Sequence, residues 1–191
     1  MVGLPVRGRA AFLLLLPMIL GTAGCFSGGG GPAPVPQGFQ RYQTDQYSFA
    51  YPAGWRRTED KDERGRPQSR FEGPGLPSGI IDGQIHVAGY GRVGQEFETA
   101  LSQFRGLAVL NRYRLTANRA IKVAGAVRAH RFEAVYELEA GDGTRVPCRL
   151  VGMYVLTERK VLLEFMLRSP AQGTAASRLP EIFDSIRIRE T

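Results

Sequence analysis

The chain has 191 residues, 43% of them apolar, with 25 basic against 18 acidic side chains and a formal charge of +7. That length suits one domain with a sizeable core, and the charge excess is too small and too scattered to argue for nucleic acid as a partner. Two cysteines, Cys25 and Cys148, and two histidines, His86 and His130, leave little material for a disulfide framework or a metal cage.

Arg7 and Arg9 precede an apolar run from Ala10 to Leu20, followed by the small residues Gly21, Thr22, Ala23 and Gly24 ahead of Cys25. A basic start, a short apolar core and a small-residue exit make a secretory signal. Spanning a bilayer takes roughly 20 apolar residues, so this run is too short. The exit resembles a bacterial lipobox, with Thr22 where a large aliphatic is usual. The resemblance implies a lipoprotein signal peptide over 1–24 and a diacylglycerol, with palmitate, on Cys25. It places the protein on the extracytoplasmic face of the cell membrane. Losing two of the 25 basic residues and none of the 18 acids leaves +5, a charge compatible with life beside anionic lipid. Cys148 then has no partner, and its apolar strand neighbours predict a buried, inert thiol.

Residues 26–37 (FSGGGGPAPVPQ) cannot build a core and read as a tether, so 25–40 is assigned as tether and 41–191 as the folded domain. Tyr47–Tyr51 alternates with aromatics on one face, a strand pattern. Pro52-Ala53-Gly54 suits a type I turn, and Trp55 is the best single core anchor. The run EDKDERGR over 59–66 reads as a solvated loop. Ile81, Gly83, Ile85 and Val87 alternate with polar residues as a strand. Phe97, Ala100, Leu101, Phe104 and Leu107 or Ala108 form the stripe of a helix over 95–108.

Residues 113–123 read as a weaker strand broken at Asn118, and 127–139 as a strand with Arg131, Glu133 and Glu137 on its polar face. Gly141-Asp142-Gly143 is a hairpin turn. Residues 149–156 and 161–167 are apolar on both faces, which demands cover on both sides of the sheet. Ser169-Pro170 reads as the start of a second helix to Asp184, kinked at Pro180. Ser185–Arg189 closes the chain as a short strand. The expected fold class is α+β, an α/β/α sandwich with a mostly antiparallel six- to seven-stranded sheet and helices on both faces.

The run Tyr47-Ser48-Phe49-Ala50-Tyr51-Pro52-Ala53-Gly54-Trp55 resembles the opening of the PsbP-like (Mog/PsbP) superfamily. Ile182-Phe183-Asp184-Ser185-Ile186-Arg187 is similar to that family's closing passage from helix to strand. Many actinobacterial lipoproteins of unassigned role look like this. The resemblance implies the same sandwich and no common reaction, so no catalytic residue is carried over.

Gly89-Tyr90-Gly91-Arg92-Val93-Gly94 matches a dinucleotide-binding fingerprint in letters. The strand before it is half polar, and no acid lies between Glu98 and Glu133 to hold a ribose, so it reads as a glycine-rich connection. No cofactor and no metal is expected. Glu133, Glu137 and Glu139 are read as solvent-facing, partnered by Arg128, Arg131, Arg145 and Arg149. The expected function is binding, without catalysis, to an envelope protein or small ligand. Its candidate surfaces are the 73–79 loop, the 89–94 loop and the strand face around Arg131 and Glu133. A small-ligand or lipid carrier is the alternative, recognisable by a deep apolar pocket between sheet and helix.

Overall fold

A computed structural model describes residues 34–92 and 96–189. Cys25, the signal and most of the tether lie outside the described residues. Its centre is the strand β9 (Val161–Pro170), whose sequence VLLEFMLRSP is apolar on both sides apart from Glu164, Arg168 and Ser169. Both neighbours pair with it antiparallel, β5 (Gln84–Arg92) on one side and β8 (Arg145–Thr157) on the other. The full sheet runs β3 (Arg56–Lys61), β4 (Pro67–Glu72), β5, β9, β8, β7 (Ala126–Glu139), β6 (Arg114–Ile121).

Pleating sends Leu163, Phe165 and Leu167 to one face, and Leu162, Glu164 and Met166 to the other. The first face is covered by helix α2 (Thr174–Asp184) and by a separate three-stranded sheet. That second sheet consists of β1 (Phe39–Gln43), β2 (Tyr47–Pro52) and β10 (Arg187–Ile188). Its aromatics Tyr42, Tyr47 and Phe49 interlock with Phe71 and Phe165 at ring separations of 4.9–6.4 Å. The second face carries helix α1 (Glu96–Leu110), whose Phe104 stacks on Phe132. Gly152 makes room there, since an added Cβ would run into the Phe132 ring. The expected α/β/α sandwich, with the two helices on opposite faces, is the observed fold.

Several local expectations are corrected. The first strand begins at Phe39, so Phe39 and Gln40 belong to the domain. Gly54 has φ +88° and accordingly makes Pro52–Trp55 a type II turn. The charged run 59–66 is the exposed edge strand β3 and its hairpin turn into β4, held in register by pairing with Phe71 and its neighbours. The strand expected from Ile81 starts at Gln84, and Ile81 keeps only an isolated bridge to Gly75. β6 is unbroken at Asn118, and its irregularity is a bulge between Leu115 and Ala117. The closing strand shrinks to Arg187–Ile188.

The start of α2 is the most instructive difference. Ser169 and Pro170 stay in β9 because they continue the ladder opposite Arg149 and Cys148. The helix instead starts at Thr174, and its cap comes from buried Asp82. That carboxylate accepts hydrogen bonds from the Thr174 hydroxyl and from the Ala175 N–H at 3.3 Å. The helix runs unbroken through exposed Pro180, held by Ala175, Leu179, Ile182 and Phe183 against the sheet. Trp55 locks this corner, packing over Gly73 and Gly83. A Cβ on Gly83 would lie 2.6 Å from both the indole and the Ala175 methyl.

Candidate functional site

Helix α1 covers only part of its face of the sheet. The β3–β4 hairpin projects beside it, and between them opens a cleft of about 880 Å³. One wall is the hairpin from Lys61 to Arg66 with Gln68; the other is Thr99, Ala100 and Gln103 of α1. Tyr90, Tyr154 and Leu162 form the floor.

The hairpin holds its shape through Asp62. Its Oδ1 accepts the backbone N–H groups of Arg64 and Arg66, each at 2.9 Å, and its Oδ2 takes the Arg66 guanidinium at 2.5 Å. The Arg66 hydrogen bond, reinforced by those amides, holds the Asp62 carboxyl below the usual range. Arg66 in turn lies 4.5 Å over the Tyr90 ring. Tyr90 donates its hydroxyl proton to Glu164 Oε2 at 2.5 Å.

Glu164 is 8% exposed, a carboxylate on the central strand of the sheet. Tyr154 stands directly opposite it on β8. Burial first and the Glu164 charge second push the hydroxyls of both Tyr90 and Tyr154 far above the ordinary phenol range. Both therefore stay protonated. His86 faces the same side and shares a hydrogen bond of 2.9 Å with Gln68 Oε1. Burial lowers its pKa despite the raising effect of Glu164. The cleft thus offers two neutral hydroxyl-bearing rings on its floor with the Glu164 carboxylate buried behind them, amides and a hydroxyl on its walls, and the charged side chains of Lys61, Asp62, Glu63, Arg64 and Arg66 along the hairpin.

The residues singled out from sequence are placed as follows. Gly89, Gly91 and Arg92 belong to β5, not to a loop, with an irregularity between Gly89 and Arg92 and φ +74° at Gly91. Val93 and Gly94 lie outside the described residues. His130 shares a hydrogen bond of 2.5 Å with Asn118, separately from His86. Among the described residues, no three His, Cys, Asp or Glu side chains gather as a metal site would require.

Arg131 and Glu133 pair at 2.8 Å but are not a solvent-facing pair. They lie half-buried, with Arg131 4.4 Å over the Phe183 ring of α2. Arg145 reaches Glu137 at 3.6 Å, while Arg128 turns to Glu98 on α1 at 2.5 Å. Cys148 is 1% exposed and its thiol pKa is raised by burial. The 73–79 loop borders a smaller pocket of about 300 Å³ with Tyr113, Tyr136 and Pro170. Sequence reasoning passed over Glu164, although one acid inside VLLEFML was the signal. A charge in a strand apolar on both faces must find a buried partner.

No protein-family model matches this chain, and no curated protein does. Solved structures match. CyanoP, the PsbP of the cyanobacterium Synechocystis sp. PCC 6803, is 18% identical, over 85% of this chain and 98% of that one, with a TM-score of 0.51. A Bacteroides thetaiotaomicron protein is 14% identical over 80% of this chain and only 49% of its own length, with a TM-score of 0.49. A Pseudomonas aeruginosa protein of unknown function, described as a putative regulator, is 11% identical over 74% of this chain and 89% of that one, at 0.40. At these identities the comparison speaks to architecture, and it is the CyanoP match that carries it: the chain has a PsbP-like fold.

Proposed function

We propose that this protein is a lipid-anchored, extracytoplasmic member of the PsbP-like superfamily that works as a binding module of the cell envelope. Its partner-binding site is the cleft between the β3–β4 hairpin and α1. The carrying observation is the unequal cover of the sheet. One face is covered by α2 and three strands apart from a groove of about 710 Å³ between the small sheet and the β3–β4 hairpin, while α1 leaves the larger cleft on the other face open over Tyr90, Tyr154 and Leu162. A lipid carrier needs a deep apolar cavity, and the interior is instead filled by Phe71, Phe132, Phe165 and Ile182, each 0% exposed. The cleft's aromatic floor and its hairpin wall of mixed charge, with the amides of Gln68 and Gln103, suit a polar, hydrogen-bonding surface of a partner protein. Anchoring rests on Cys25 and the signal ahead of it.

Two measurements test this reading. A photoreactive residue in place of Gln103 should crosslink an envelope component on intact cells, whereas the same residue at Ser177 on α2 should not. Crosslinks from Ser177 alone would move the site off the cleft. The mature protein should begin at Cys25 with added diacylglycerol mass. A protein released to the medium, beginning at Gly24 without lipid, would remove the anchor.

A further inference from the structure

Positions 99–132 hold seven basic residues and no acid. Arg128 and Arg131 are committed to Glu98 and Glu133. Arg105, Arg112, Arg114, Arg119 and Lys122 form no ion pair among the described residues. Arg105 lies on α1, Arg112 in the α1–β6 turn, Arg114 and Arg119 on the side of β6 away from α1, and Lys122 just beyond β6, the last strand of its sheet. Aliphatic side chains stand among them. Leu107, Val109 and Leu110 in the last turns of α1 are 52%, 78% and 79% exposed, with Leu115 of β6 and Leu138 of β7 beside the turn. Five of the seven large exposed apolar residues among those described thus gather at one end of the molecule. Apolar side chains scattered singly need no explanation, but a cluster rimmed by cations that outnumber the neighbouring acids, Glu137 and Glu139, does.

The turn itself is held against its backbone preference. The Tyr113 N–H bonds the Ala108 carbonyl at 2.8 Å and the Arg112 N–H bonds Val109 at 3.1 Å, a Schellman closure. That closure needs a left-handed residue, ordinarily glycine, and here Arg112 occupies it at φ 56°. An arginine stands at the tip where glycine would be easier.

Contacts link this tip to the end of the domain that holds Phe39 and the start of β1. Tyr113 lies 4.8 Å from Tyr136, which is paired with Cys148. Pro147 accepts the Ala171 N–H just ahead of α2. Ala175 at the start of α2 abuts the Gly83 niche that Trp55 fills, and the Trp55 turn begins at Pro52, opposite Phe39.

We infer that the α1–β6 turn and the adjoining β6 edge dock on an anionic lipid bilayer. Leu107, Val109, Leu110 and Leu115 enter the interfacial region, and Arg112, Arg114 and Arg119 engage phosphate headgroups. The paired aliphatic and cationic character favours lipid over an acidic polypeptide added along β6, which would leave the helix-end aliphatics uncovered. The inference stands whether or not Cys25 carries lipid and whatever occupies the cleft.

The test uses the full chain carrying Leu110→Trp, with buried Trp55 as internal blank. Its probes are vesicles of phosphatidylcholine alone and of phosphatidylcholine mixed equally with phosphatidylglycerol, each containing a spin-labelled quencher lipid. The new indole should shift to shorter wavelength and be quenched on the mixed vesicles, and several-fold less on phosphatidylcholine alone. Basic residues near an anionic surface contribute about fivefold each. The triple variant Arg112→Gln, Arg114→Gln, Arg119→Gln should therefore lose tip contact by roughly 100-fold, and the corresponding lysine variant should retain it. Absent quenching on the mixed vesicles, equal quenching on both, or a shift only with soluble poly-glutamate would overturn the proposal.

Discussion

The two faces of the seven-stranded sheet are built from similar strands and finished differently. On the α2 face, aromatic residues of the small sheet and the stripe of α2 close over Phe71, Phe165 and Ile182. On the α1 face, Phe97, Leu101 and Phe104 seal only the part over β7, β8 and β9. The half over β3, β4 and β5 presents Thr58, Gln68, Arg70, Gln84 and His86 beside the cleft. The covered face is where stability resides, and the uncovered half is where polar groups stay available. Substitutions should separate the two.

The largest effect belongs to the closed face. Ile182→Ala should lower unfolding free energy by about 3 kcal/mol in urea titration, as a filled site with no room to collapse does. A loss below about 1 kcal/mol would mean that α2 is loosely docked. Asp82→Ala removes the cap that joins the β4–β5 connection to α2 and should cost about 1–2 kcal/mol. Asp82→Ser, which can still accept from the helix, should recover part of that.

Smaller effects mark the open half and the tip. Burial holds the His86 pKa below 6.5, so the folded protein favours the neutral ring and the unfolded chain takes up the proton more readily. The His86 contribution is full above pH 6.5 and is lost as pH falls below it. His86→Gln should therefore flatten the acid-side decline of the unfolding midpoint below pH 6.5. At the alkaline end, Tyr136 is pushed up to about 12, chiefly by burial, and its contribution falls as pH rises from 10 through that value. Arg112→Gly relieves the left-handed residue and should stabilise the fold by about 0.5–1 kcal/mol while weakening the tip's hold on anionic vesicles.

What could be read from the chain followed the same division. The helix stripe from Phe97 to Ala108, the two-faced apolar runs of β8 and β9 and the Gly141–Gly143 turn are local patterns with one physical solution each. β3 was illegible because a strand exposed along its whole length carries no period; only pairing with β4 defines it. The Ser169-Pro170 start lost to a ladder with β8 that no local signal announces. The cleft was illegible for a related reason. Tyr90, Tyr154 and Glu164 belong to three strands, and only the register brings them together.

The central claim is that the partner binds in the cleft on the open half of the α1 face. The most direct test is amide hydrogen exchange of the full chain, compared between protein-free anionic vesicles and native envelope membranes. The account predicts slower exchange on native membranes over 61–68 and 99–103 but not over 177–181 of α2, with Glu164→Ala cancelling the gain. No gain in the cleft segments, or a gain confined to 177–181, would contradict it.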